Sequence, residues 1–153
     1  MERKMRAVME GAKENLLKDK RLMTVALLST GDHLNASLMM PWKDDDQKYV
    51  MLKTIGEECR KKSYDNVIVI SDAAMRMATP ESLKDPLERP LLYPESMRKE
   101  CIVIMGYDFK AEKSLSLVQI YKAQTLEFEG DPEFIVGKMG GDIIDSIKEG
   151  YKL

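Results

Sequence analysis

Residues 64–77 read Tyr-Asp-Asn-Val-Ile-Val-Ile-Ser-Asp-Ala-Ala-Met-Arg-Met, and the middle of this stretch decides the fold. Val67, Ile68, Val69 and Ile70 are four β-branched residues in a row. Branching at Cβ favours extended backbone, and an unbroken apolar run suits a strand covered on both faces. The spacing predicts the central strand of one small domain, with the remaining chain arranged to cover it.

Immediately upstream, residues 45–62 carry helical periodicity, with Leu52, Ile55 and Cys59 on one face. Asp44-Asp45-Asp46 opens this segment and Arg60-Lys61-Lys62 closes it, the charge order that a helix macrodipole favours. Further back, residues 24–29 form an apolar strand and Thr30-Gly31-Asp32-His33 a turn. Residues 35–40 make the return strand, which Pro41 stops because proline has no N–H for a ladder. Met5, Val8, Met9, Ala12 and Leu16 recur at helical spacing over residues 3–20, so the chain opens on an amphipathic helix with methionine as core filler.

Downstream, residues 78–99 hold four of the six prolines, Pro80, Pro86, Pro90 and Pro94, and read as one long irregular loop. Residues 101–105 (Cys-Ile-Val-Ile-Met) are a second buried strand, and residues 106–114 look like a hairpin connection. Residues 115–123 give a further strand, and 126–129 a half-exposed one that Asp131-Pro132 breaks. Asp142 is placed to cap a final short helix bearing Ile143, Ile144, Ile147 and Tyr151.

The expected order is α-β-β-α-β-loop-β-β-(β)-α. Short connections imply antiparallel neighbours, and only the second helix looks like a crossover, between the second and third strands. The fold class is α+β: one mostly antiparallel sheet of about five strands with helices packed on it. Residues 1–153 form a single domain, a size that buries roughly 70% of the extended-chain surface.

Apolar residues make up 44% and charged residues 33%, a globular composition. With 24 basic and 26 acidic side chains the formal net charge is −2, so no global field recruits nucleic acid or an anionic membrane. The charged start, Met1 to Arg6, has no apolar signal core after it, and no apolar run of roughly 18 residues occurs. Cys59 and Cys101 are too few for a disulfide framework or a zinc site and read as two buried thiols. A cytoplasmic setting is expected.

Two resemblances follow from these residues. The order helix, two strands, helix, three strands, helix resembles the profilin-like and roadblock-like sandwiches. Val67 to Met75, then Asp85-Pro86-Leu87-Glu88-Arg89-Pro90, then Cys101 to Ile104, resemble over about 40 residues a group of uncharacterised small α+β proteins of prokaryotes and their viruses. Neither resemblance implies a particular activity.

Asp72 leads the candidates for chemistry, since it stands where the central strand meets the proline-rich loop. Its ordinary role would be to cap the following turn. Asp44 and Asp46 are oxygen donors suited to a hard cation, yet the calcium-loop pattern fails, with Tyr49 at position six and Ile55 at position twelve. Consecutive acids there fit a helix cap better. His33, the one histidine, sits in a turn, where a solvated side chain is the plain reading, and it alone supports neither a triad nor a zinc centre. Gly137 to Asp142 lacks the phosphate-loop pattern, and Arg60-Lys61-Lys62 and Arg3-Lys4-Arg6 lack the interleaved aromatics of a nucleic-acid surface. Leu87, Leu91, Leu92 and Tyr93 in the proline-rich loop are the candidate partner surface.

The sequence therefore favours a small non-enzymatic binding or assembly protein that self-associates or engages a protein partner, without a cofactor. The alternative is a metal-dependent hydrolase or nuclease built on Asp72 and nearby carboxylates.

Overall fold

The run Val67–Ile70 lies in the third strand of a six-stranded antiparallel sheet, in a computed structural model that describes residues 1–75, 99–135 and 141–152. The elements are α1 (Glu2–Asp19), β1 (Val25–Thr30), β2 (His33–Met39), α2 (Asp45–Lys61), β3 (Asn66–Met75), β4 (Lys99–Asp108), β5 (Lys113–Lys122), β6 (Phe128–Ile135) and α3 (Gly141–Lys152). Their order across the sheet is β2-β1-β3-β4-β5-β6. The α+β class and single antiparallel sheet stand as the sequence reading has them, with one strand more than about five.

Alternation along β3 explains its central place. Val67 and Val69 enter one core, with Leu52, Ile55 and Cys59 of α2 and Ile143 and Ile147 of α3. Ile68 enters the other, with Met5, Met9, Ala12 and Leu16 of α1 and Ile102, Ile104, Leu117 and Tyr121 of the sheet. Helices therefore cover both faces, and each fully buried large side chain contributes roughly 1.5–3 kcal/mol. α2 is the crossover, returning the chain from β2 to β3 past β1, which pairs with both.

α2 and α3 touch backbone to backbone. A Cβ on Gly56 would overlap the carbonyl oxygen of Ile147, and one on Gly150 would overlap that of Lys53. Only glycine permits that approach. α1 ends where Lys20 turns left-handed (φ 63°) and its N–H donates to Leu16 O at 2.8 Å.

Several boundaries differ from the sequence reading, β2 beginning at His33 and β5 at Lys113 among them. β4 runs on to Asp108, and Asp108 Oδ1 accepts the N–H groups of Lys110 and Ala111 (2.9 and 3.0 Å) to make the turn there. Lys99, read as loop, begins β4. β6 passes through Pro132, which an edge strand tolerates because one side of it makes no ladder bonds. The rest of the proline-rich loop, with Leu87, Leu91, Leu92 and Tyr93, lies outside the described residues.

Candidate functional site

Asp72 sits two residues past the apolar run of β3, paired with Ile102 on β4. Its neighbour in charge is Glu100, one diagonal step along β4, which in turn faces Tyr121 on β5. Tyr121 Oη donates to Glu100 Oε2 at 2.7 Å from an almost fully buried ring. Partial burial lifts the Asp72 carboxyl above its ordinary range, and the charge of Glu100 adds to the lift. Burial likewise raises the Tyr121 phenol, with its bond to Glu100 second. A cleft of roughly 270 Å³ between Trp42, Lys48, Ser71 and Val103 lies on the other face of the sheet, against the core of α2 and α3, whereas Glu100 and Tyr121 lie on the α1 face. The sequence leaves the carboxylates near Asp72 unnamed, and the strand register supplies Glu100. The alternation Glu100-x-Ile102-x-Ile104 carries the signal, but only once the β3–β4 register is known.

The other candidates are held in local structure. Asp44 Oδ1 accepts the Gln47 N–H (2.8 Å) while Gln47 Oε1 accepts the Lys43 N–H (2.9 Å), a reciprocal cap at the start of α2. Asp46 lies in the first turn of that helix, where its charge suits the dipole. Among the described residues no group of three or more His, Cys, Asp or Glu is arranged to hold a metal ion. His33 opens β2 and is exposed. Cys59 and Cys101 are free and buried, with burial pushing their thiols up to about 12 and about 11.

Several cations of the two basic patches have partners inside the molecule. Arg60 Nη1 donates to Lys152 O at 2.7 Å, holding the end of α3 against α2. Lys62 pairs with Glu58 at 3.2 Å, and the Arg6 guanidinium lies 4.9 Å from the Phe134 ring centroid. Lys4 Nζ donates to Gly31 O and Asn66 Oδ1, both at 3.1 Å. Beside it, Asp65 Oδ2 accepts the Gly31 N–H at 2.8 Å and Oδ1 pairs with Lys110 at 3.1 Å. The β1–β2 turn is thus tied to the start of β3.

The least expected surface is the edge strand β2. Of its seven residues only Ala36 is partly covered, and Leu34, Leu38 and Met39 stand 50%, 40% and 62% exposed. His33-Leu-Asn-Ala-Ser-Leu-Met39 contains no charged residue and no proline. Unpaired strand edges of this kind are templates for another strand. In comparisons with protein-family models, curated proteins and solved structures, the chain matches none of them.

Proposed function

We propose that the chain works by binding, as a subunit that joins an assembly by adding a strand at its β2 edge. One observation carries this reading: β2 presents an uncharged, proline-free row with three exposed large apolar side chains, the composition that natural edge strands otherwise avoid. The two free, buried thiols suit a reducing compartment, and the same reading sets the protein in the cytoplasm. Affinity capture with wild-type chain and with Leu38→Lys as baits tests it. Wild type is expected to retain an associated chain, of its own or another kind, that Leu38→Lys loses. Equal capture by both, or capture by neither, contradicts it.

A second reading, metal-dependent hydrolysis, has the Asp72–Glu100 carboxylate pair in its favour, since hard cations take carboxylate oxygens. Calorimetric titration with Mg²⁺, Mn²⁺ and Ca²⁺ tests it. Heat that disappears in Asp72→Asn supports it, and silence with all three ions, together with an unchanged melting temperature, removes it.

A further inference from the structure

We propose that β2 pairs with β2 of a second copy of this chain, antiparallel about a two-fold axis, so that the two sheets run on into one. This rests on the strand-addition reading and names the partner. A strand without charge is best faced by another without charge, because a buried carboxylate or ammonium with no counter-ion loses its hydration uncompensated. The other edge of this chain cannot serve. β6 offers Glu129, Asp131, Pro132 and Glu133, and it departs from regular pairing where Gly130 turns to φ 66°. β2 on β6 would also be head-to-tail and open-ended, whereas β2 on β2 closes at two copies and leaves no free edge of the same kind. A formal net charge of −2 opposes the approach of two copies only weakly.

The register of β2 against β1 shifts opposite Leu28 and Ser29, near the turn. From Ala36 to Met39 it is regular, pairing with Leu28, Leu27, Ala26 and Val25 in turn. That half is the straight template for the second copy, and Leu38 and Met39 are the apolar side chains buried by the pairing.

Sedimentation of the purified chain over a broad dilution series tests the proposal. A dimer that dissociates on dilution is expected. In Leu38→Lys the midpoint should move to a concentration higher by about tenfold or more, because like charges meet across the axis. Circular dichroism of the variant checks that it is folded. Asn35→Cys, Ser37→Cys and Met39→Cys, made singly, then read the geometry by oxidative cross-linking. Each residue away from the axis separates the two mates by about 7 Å more, twice the rise of a strand. Yield should therefore fall with distance from the axis; equal yields at all three positions, or none above wild type, overturn the two-fold pairing. A monomer at every concentration overturns the second copy as partner. In that case capture of a different chain, lost in Leu38→Lys, leaves strand addition standing, and no such capture sinks both.

Discussion

β2 and β6 terminate the same sheet with opposite chemistry. β6 turns Phe128 and Phe134 inward, where they pack partly buried against the core beneath α1, under Lys13 and Arg6. Outward it shows acids, Pro132 and a break in register, and the Gln119 amide fills that break by donating to Glu129 O and Gly130 O at 3.2 and 3.1 Å. Among the described residues β2 has no such closure. Ala36 is its one residue against the core beneath α2, and its other side chains face solvent. Charge, proline and bulges are the devices that keep edges from pairing, and one edge has all three while the other has only a register shift. The difference marks β2 as the edge left open for use.

The largest effect should come from truncation away from either edge. Ile68→Ala, in a fully buried site under α1, should lower unfolding stability by about 2–5 kcal/mol, read by urea titration. Leu38→Ala should cost the isolated monomer about 0.5 kcal/mol or less. Similar losses for the two would mean that β2 is held as firmly as the centre, and the contrast would break.

The converse change opens the guarded edge. Pro132→Thr with Glu133→Thr restores an N–H and removes a charge from β6, so species larger than a dimer should appear in light scattering. If the double variant sediments as wild type does, proline and acid are not what closes that edge.

The smallest effects are in pH dependence, and their signs differ. The Asp65 carboxyl lies below its ordinary range, held first by Lys110 and then by the Gly31 N–H. It contributes stability above the usual carboxylate range that is lost as pH falls through its lowered value. Asp65→Ala should therefore be less stable than wild type at neutral pH, and the gap should close on acidification. The raised Asp72 works the other way: its native form binds a proton that the unfolded chain releases, so stability falls as pH rises through that interval. Asp72→Asn should be slightly more stable at neutral pH, by about a few tenths of a kcal/mol after solvent screening, and equal to wild type in acid. Melting curves across the acid range check both signs.

Much of the fold is legible in the sequence. Four adjacent β-branched residues identified β3, charge order identified α2, and the Met5–Leu16 spacing identified α1, because each signal lies within a few residues. The open edge was only half legible. The absence of charge from His33 to Met39 is plain to read, but whether Leu34 and Leu38 face a core or water depends on which strand becomes the neighbour of β1. Sequence order suggested a hairpin, and the other side of that hairpin was decided elsewhere, by β3 returning beside β1. Glu100 was hidden for the same reason: its closeness to Asp72 is a property of register, which no local pattern encodes.

Amide hydrogen exchange, followed strand by strand at low and high protein concentration, tests the contrast between the edges most directly. Amides of His33–Met39 should exchange more slowly as concentration rises while those of Phe128–Ile135 keep one rate. Exchange at β2 that ignores concentration, or slowing at both edges alike, would contradict an assembly built on β2.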